Sequence, residues 1–307
     1  MEMRVAAIDQ GTNTTRLLVA DVEDGELEEI ARRVEITRLG EGVDSRRRLL
    51  PLPITRVRNV LTDYRREAER LAAERVLLIA TSAVRDAENG EAFLGEIEWS
   101  YGFVTRLLSG EKEAELTFRG AADGRAGTIL VIDPGGGSTE FVVGEAGAIR
   151  SRASVDVGSV RLTERFGDDV EAAAEYVRSV LPPPIDVGRA IGVAGTITTL
   201  AALDLGLDEP EGLGTHGHQL TPAGVRSQRE RLASLTLEER RRLPGLHPER
   251  APVIVAGAVL VEQVLAHFDL DQLEVSERDI LHGAALEAAN LPAPAEGAAP
   301  PGAYTCC

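Results

Sequence analysis

Only two cysteines occur in this chain, Cys306 and Cys307, and both stand at its carboxyl end. That placement argues against a core disulfide and a buried thiolate nucleophile, and it fits a reducing, cytoplasmic compartment. Lysine is scarcer still: Lys112 is the only one, against 32 arginines. No Gly-Lys-Ser or Gly-Lys-Thr is present, so the chain has no Walker P-loop and the P-loop NTPases are excluded. No apolar run approaches the ~18 residues of a membrane span. The Cys306-Cys307 pair is reminiscent of a lipidation signal, yet nothing else in the sequence suggests anchoring. The amino terminus is expected to pass directly into a strand. Positive charge is also in deficit, with a formal net charge of −17. Nucleic acid and anionic membrane are thereby disfavoured as main partners, and a polyanionic substrate would have to be held by local cations.

Two short stretches read as variants of one device. Asp9-Gln10-Gly11-Thr12-Asn13 follows the apolar run from Val5 to Ile8, and Asp133-Pro134-Gly135-Gly136-Gly137-Ser138 follows the run from Ile129 to Ile132. Their spacing, 133 − 9 = 124 residues, predicts a duplicated unit. In each, a buried-strand pattern ends in an Asp, a Gly turn follows, and a second strand returns through Leu17-Leu18-Val19-Ala20 or Phe141-Val142-Val143. Glycine turns free backbone N–H groups to point at an anion, and an Asp at a strand end can hold a metal beside it. Two such turns facing each other would grip a phosphate chain from both sides. The length of 307 residues and the 43% hydrophobic content suit two domains.

Along the chain, strands are expected over Arg32–Thr37, Val76–Ala80 and Phe103–Leu108, a loop over Gly40–Arg48 with a solvated Arg46-Arg47-Arg48, and an amphipathic helix over Ile54–Glu74. A Glu-rich helix starts at Ser109. From Thr128 the order restarts, with a strand near Ala153–Asp156, a helix from Val160, a strand over Ala190–Val193 and the turn Gly195-Thr196. A buried helix over Val253–Phe268, a strand over Leu273–Val275 and a last helix over Asp279–Ala289 complete an α/β pattern. Pro292–Cys307, rich in Pro, Ala and Gly, reads as a disordered tail.

Hydrolysing a phosphoanhydride needs a metal, donors for the phosphate oxygens, and a base that orients a water. Asp9 and Asp133 are candidate metal-side carboxylates, and the backbone over Gly11–Asn13 and Gly135–Ser138 supplies candidate donors. Either motif alone is better read as glycines closing a hairpin, and it is the pairing of two similarly framed turns that favours phosphate binding. Arg85, read as lying at a helix start, is a phosphate binder or a surface ion-pair residue. Glu113, in a first helical turn, is a general base or a complement to the helix dipole. Glu140 could polarise water. His216 and His218 have the spacing of a metal pair but no third ligand nearby, so neither receives a role.

Six segments, taken together and in order, resemble the motifs of the exopolyphosphatase and guanosine pentaphosphate phosphohydrolase family: Asp9–Arg16 with Leu17-Leu18, Ala80–Asn89, Ser109–Ala114, Asp133–Glu140, Val157–Glu164 and Gly192–Thr196. The resemblance runs from about Met3 to Ala289. It implies an α/β, actin-like (RNase H-like) duplicated two-domain fold with an interdomain cleft. The domains are expected at 1–124 and 125–291, with the last helix packing back on the first domain and the tail at 292–307. It also implies a Mg²⁺-dependent hydrolase, with Mn²⁺ as the substitute, that releases terminal phosphate from inorganic polyphosphate or pppGpp. Under the resemblance Glu113 is the general base and Glu140 positions the water. Phosphate is bound by Arg85, Gly11, Thr12, Asn13, Gly135, Gly136, Gly137, Ser138 and Thr139, and metal by Asp133 and Asp9. Gln10 and Pro134 replace residues that are usually apolar in the family, and Lys112 stands where an acidic residue is common. No appended helical region is apparent, so short polyphosphate is expected to be preferred. Expected partners are the phosphate substrate and a second copy of the chain, not nucleic acid or membrane. A sugar kinase of the same superfamily and a non-catalytic alarmone or polyphosphate sensor are the rival readings.

Overall fold

In the computed structural model, the described residues are 2–122, 127–145, 147–209 and 214–292. Apolar strand runs and helices alternate twice along the chain, and each round builds its own sheet. In the first, β1 (Met3–Gln10), β2 (Thr14–Glu23) and β3 (Glu26–Ile36) form an antiparallel meander. Two helices, α1 (Val43–Arg46) and α2 (Pro51–Arg70), lead to β4 (Arg75–Ala80), which lies parallel to β1. The short α3 (Ser82–Arg85) and α4 (Gly90–Tyr101) precede β5 (Val104–Leu107), parallel to β4, and α5 (Gly110–Ala121) follows. The sheet order is β3-β2-β1-β4-β5.

The second round repeats this plan. An antiparallel meander of β6 (Thr128–Pro134), β7 (Thr139–Glu145) and β8 (Ala148–Val155) is followed by α6 (Ser159–Phe166), α7 (Val170–Val180) and β9 (Arg189–Gly192), which pairs parallel to β6. Next come α8 (Ala194–Leu205), the edge strand β10 (Gln219–Leu220), α9 (Pro222–Ser234), α10 (Leu237–Arg240), α11 (Ile254–His267), β11 (Leu273–Val275) and α12 (Ile280–Ala289). Read from β8, the order β8-β7-β6-β9-β11-β10 matches the first sheet strand for strand, with β10 added at the edge. Even the irregularities repeat: the β2–β3 ladder shifts register at Val19/Ala20, and the β7–β8 ladder shifts at Val143/Gly144, the same 124-residue offset. The fold is thus the duplicated α/β fold that the paired turns predict.

The chain divides into two compact units. One holds the residues up to Leu116 and takes back the chain from Ile280, and the other spans Thr117–Asp279. The division lies inside α5, ahead of the 124/125 boundary expected under the family resemblance; residues 124 and 125 lie outside the described residues. So do Ala293–Cys307, and with them nearly all of the tail and the Cys306-Cys307 pair.

Strand β1 is buried on both faces over Val5–Ile8, which explains its continuous apolar run. One face meets the stripe Val57, Leu61, Tyr64 and Ala68 of α2, and the other is covered by Leu281, Ala284, Ala285 and Ala288 of α12. Helix α11, apolar around most of its circumference with Glu262 and Gln263 on its one polar edge, is part of the second unit's core. Several expected boundaries move. The helix expected from Ile54 starts at Pro51, where proline's missing N–H costs nothing, and it ends at Arg70. The strand expected at Arg32–Thr37 is the end of the longer β3, whose polar, solvent-facing residues conceal its start. The Gly40–Arg48 loop contains α1, and the helix expected from Val160 is two helices interrupted at Gly167, whose φ is positive. Helices α9 and α10 were not anticipated.

His216 and His218 belong to a structural corner of the second unit. Glu277 Oε1 accepts from the amides of Gly214 (3.1 Å), Thr215 (2.9 Å) and His216 (3.0 Å) and from the Thr215 hydroxyl (2.9 Å). His216 Nδ1 accepts from the Glu277 amide, while His218 Nε2 lies 2.8 Å from Asp204, so the two rings serve different partners. Burial raises the Glu277 pKa, but the hydrogen bonds together outweigh it and the net shift is downward from 4.5. A carboxyl whose folded pKa is depressed stabilises the fold above its unfolded pKa and loses that contribution as pH falls through the folded value. Glu277→Gln is therefore expected to lower Tm by a few degrees at neutral pH, with the difference from wild type closing as pH falls below about 4 in thermal unfolding scans. A difference independent of pH would remove the carboxylate's charge from the account.

Candidate active site

Both glycine turns close with the same bond. Gly11 N donates to Thr14 O at 2.9 Å, and Gly135 N donates to Ser138 O at 3.0 Å, at the same offset along the chain. Pro134 therefore leaves the turn's closure intact at the strand end, where its missing donor is tolerated. Gly11 and Gly135, expected among the phosphate donors, use their amides inside the turns. The amides that remain are aimed by their own carbonyls, because C=O and the following N–H of a trans peptide point to opposite sides. In the second unit the carbonyl of Gly135 accepts from Ser159 N (3.0 Å), that of Gly136 from Val160 N (2.9 Å) and Arg161 N (3.1 Å), and that of Gly137 from Arg161 Nε (2.9 Å). The first turn of α6 thus takes three successive carbonyls and turns the N–H groups of Gly136, Gly137 and Ser138 the other way. A run of successive amides left without intramolecular acceptors is a candidate anion nest.

The first unit does the same with different partners. Gly11 O accepts from Gln10 Nε2 (3.1 Å), Thr12 O from Gly40 N (2.8 Å) and Asn13 O from Arg38 N (2.9 Å), which aims the amides of Thr12 and Asn13 away from those groups. Gln10 is fully buried, and its Oε1 accepts from Thr15 Oγ1 at 2.8 Å, so this departure from an apolar residue is a satisfied polar group that holds the turn. Thr12 Oγ1 lies 2.9 Å from Ser82 Oγ, tying the turn to α3. In the second turn, the Thr139 hydroxyl donates to Val157 O at 2.5 Å, so it anchors the entry to α6 although phosphate binding was expected of it.

The carboxylates differ between the units in an informative way. Asp9 faces Arg16 directly across the β1–β2 ladder, and its Oδ2 accepts from Arg16 Nε (2.9 Å) and Nη2 (2.6 Å). Asp9, expected as a metal ligand, therefore already faces a guanidinium. At the matching position of the second unit, Asp133 faces Glu140 across the β6–β7 ladder, and both are buried. Asp133 Oδ2 accepts from Thr117 Oγ1 (3.1 Å), and Glu140 Oε1 from Ser154 Oγ (2.8 Å). Two carboxylates opposite each other on one face are destabilising unless a cation or a proton joins them. One or two carboxylates completed by phosphate oxygens and water is the usual donor set for Mg²⁺. Among the described residues no cluster of three or more His, Cys, Asp or Glu forms an all-protein metal cage. The residues fit magnesium at Asp133 with Glu140.

Arg85 closes α3 and does not open a helix, so the expected help from a helix dipole is absent. Its Nη1 instead donates to Leu108 O (2.9 Å) and Glu113 Oε2 (3.2 Å). Glu113 is buried in the first turn of α5, while Glu111 is exposed. The Ser109 hydroxyl takes the capping bond, from Lys112 N at 3.2 Å, and Glu113 reaches the arginine. Lys112 Nζ pairs with Glu115 at 2.9 Å, which accounts for that departure as a local ion pair.

Sequence reasoning missed Arg16, Thr117, Ser154, Arg161 and Arg250. Arg16 and Ser154 were legible in principle from the hairpin register. Arg250 carried no such signal: it is buried beside Gly195 at the start of α8, where an added Cβ would lie 2.0 Å from its Nη1. Gly158 is explained by the same kind of approach, since a Cβ there would lie 2.5 Å from the Gly136 carbonyl and 2.7 Å from Gly137 N.

The sequence profile of the Ppx/GppA phosphatase family matches residues 18–290. Exopolyphosphatase 2 of Mycobacterium tuberculosis is 41% identical over 93% of this chain and 98% of its own length. A guanosine-5'-triphosphate,3'-diphosphate pyrophosphatase of Vibrio atlanticus is 28% identical over 92% of this chain, but over 58% of its own length. Among solved structures, the Ppx/GppA protein of Aquifex aeolicus superposes with a TM-score of 0.78 at 31% identity, covering 94% of this chain and 98% of that one.

Gly158→Ala should push the second turn off α6 by an amount that backbone cannot absorb. Misplacing a positioned group by about 1 Å costs up to about 10²-fold in rate. The expected result is a phosphate-release rate down by at least about 10-fold with the circular dichroism spectrum retained. Unchanged kinetics would show that the Gly136–Ser138 amides do not hold phosphate.

Proposed function

Because the chain belongs to the Ppx/GppA phosphatase family, we propose that it is an exopolyphosphatase, hydrolysing the terminal phosphoanhydride of inorganic polyphosphate to release orthophosphate. The observation that carries this reading is its identity with an exopolyphosphatase over nearly the full length of both chains. The pppGpp-directed relative is much longer than the region it shares with this chain. Hydrolysis of pppGpp is the second reading, favoured by that relative's name and by the fact that it presents the same terminal anhydride.

In this reading Glu113 is the general base. It accepts a proton from water as the water oxygen bonds to the terminal phosphorus. The bridging P–O bond breaks, and the shortened polyphosphate departs with the bond's electron pair. Arg85, which holds Glu113 Oε2 and is itself fixed by Leu108 O, would bind the terminal phosphoryl oxygens and keep the base in place. In the second unit, the amides of Gly136, Gly137 and Ser138 would bind phosphate oxygens. Mg²⁺ held by Asp133 with Glu140 would supply charge neutralisation on the polyanion. Arg16 holds Asp9 and so positions the first turn.

A phosphate-release assay comparing tripolyphosphate, long polyphosphate, pppGpp and ATP tests the assignment. Release from the polyphosphates well above pppGpp is expected, and the reverse order would establish the second reading. Glu113→Gln should lower kcat by about 10²–10⁴-fold with binding kept, since it preserves shape while removing the proton acceptor. Activity within a few-fold of wild type would move the base elsewhere. Excess chelator should abolish turnover, and added Mg²⁺ or Mn²⁺ should restore it. Asp133→Asn should weaken the metal's apparent affinity together with the rate, and full activity in chelator would remove Asp133 from this role.

A further inference from the structure

Almost every arginine on the surface of the first unit is matched to a carboxylate: Arg33 with Glu67, Arg58 with Glu96, Arg65 with Glu69, Arg66 with Asp63. Arg46, Arg47 and Arg48 are the exception. All three are exposed, and their side chains make no hydrogen bond or ion pair with any described residue. Glu88, whose amide donates to Arg47 O at 2.8 Å, is close by and still forms no ion pair with them. In a chain of net charge −17, three consecutive cations left uncompensated mark a place where an anion from outside is favoured.

The run is held firmly, although it is exposed. On one side Val43 is buried, and Val43 N donates to the carbonyl of Gly40, whose own amide bonds Thr12 O of the first turn. On the other side Leu49 is buried, and its backbone is clamped at both groups by the Asn89 amide, with Leu49 N to Oδ1 at 2.8 Å and Nδ2 to Leu49 O at 3.1 Å. Residues 40–49 therefore form a strap between the Thr12–Asn13 turn and the Glu88–Asn89 corner, three residues beyond Arg85. Gly42 and Arg47, both in the left-handed region, bracket α1 and bring the three arginines together at its end.

We propose that Arg46, Arg47 and Arg48 form an outer anion subsite that holds the phosphates of a polyphosphate chain behind its reacting end. This rests on the exopolyphosphatase reading above and names where that substrate's non-reacting part is held. The contacts are to phosphate charge alone, so the subsite is indifferent to sequence or base. It lengthens the grip by the reach of three side chains, and its benefit saturates after a few phosphates. The preference for short polyphosphate expected from the sequence is correspondingly modified.

The test compares wild type, R46Q/R47Q/R48Q and a control with the same charge loss on α2, R58Q/R66Q/R70Q. Each is assayed for KM and kcat on tripolyphosphate and on a medium-length polyphosphate. Binding of the medium-length chain is measured at several salt concentrations in an added Glu113→Gln background. The strap variant should raise KM for the medium-length chain by about 10-fold and leave tripolyphosphate kinetics within about 2-fold, as expected when three exposed ion contacts are lost. Its salt dependence, as log K against log salt, should be shallower by about 2, and the control should match wild type. Equal effects on both substrates, an equal effect of the control, or no effect would overturn the subsite. A single-stranded RNA that displaced polyphosphate from the strap at equal phosphate concentration would assign the run to nucleic acid instead. If wild type released phosphate from neither polyphosphate, the exopolyphosphatase reading would fail, while the binding comparison would still decide the subsite.

Discussion

The chemistry of both units depends on one constraint, the register of the hairpin that surrounds each glycine turn. The turn's closing bond places the strand-end Asp opposite the residue seven positions later, on the same face of the sheet. In one copy that residue is Arg16, and in the other it is Glu140. The same backbone therefore yields a self-neutralised ion pair in the first unit and a carboxylate pair suited to a divalent cation in the second. A one-residue slip in either ladder would send these side chains to the opposite face, so the turns cannot vary freely in length. The repeated unit keeps the geometry and exchanges one charge.

A second constraint is that backbone groups in a turn are used in pairs. Satisfying the carbonyls of Gly135, Gly136 and Gly137 at the start of α6 simultaneously aims the amides of the next residues. The backbone N–H groups at the start of α6 are thus occupied by the turn, and the turn itself becomes the candidate donor surface. This arrangement needs backbones to approach without side chains between them. Gly158 allows it in the second unit and Gly40 in the first, where a Cβ would lie 2.2 Å from Thr12 Cγ2. Gln10 does the corresponding work at the Gly11 carbonyl, supported by Thr15 and by the Thr15–Thr37 hydroxyl contact of 2.8 Å.

Charge distribution follows the same economy. Arginine supplies nearly all positive charge, and its planar fork suits both carboxylates and phosphates. Inside the first unit it pairs Asp9 and Glu113, holding both acids in fixed geometry. Over most of the surface it answers glutamates. Where the pairing stops, at the strap between the first turn and the Arg85 segment, the imbalance is local and lies beside residues assigned to phosphate. An acidic protein with a polyanionic substrate has to confine its attraction in this way.

Much of this protein was legible in the sequence because it rests on local patterns. Apolar runs ending in Asp and Gly marked the paired turns, their spacing marked the repeat, and several motifs in order pointed to the family, under whose resemblance Glu113, Arg85 and Asp133 are candidates. Side-chain period and glycine need no long-range information to be read. What only the tertiary structure decided was the partner of each group. That Arg85 ends its helix and binds Glu113, that Asp9 faces a guanidinium while Asp133 faces Glu140, and that Thr139 serves Val157 all depend on strand register and on packing between distant segments. Arg250 against Gly195 and the Asn89 clamp on Leu49 lie at the far end of that scale, joining residues that no local pattern connects. Local sequence sets which groups a segment offers; the free energy of burying and pairing them, settled over the whole unit, sets which of them remain to act on a substrate.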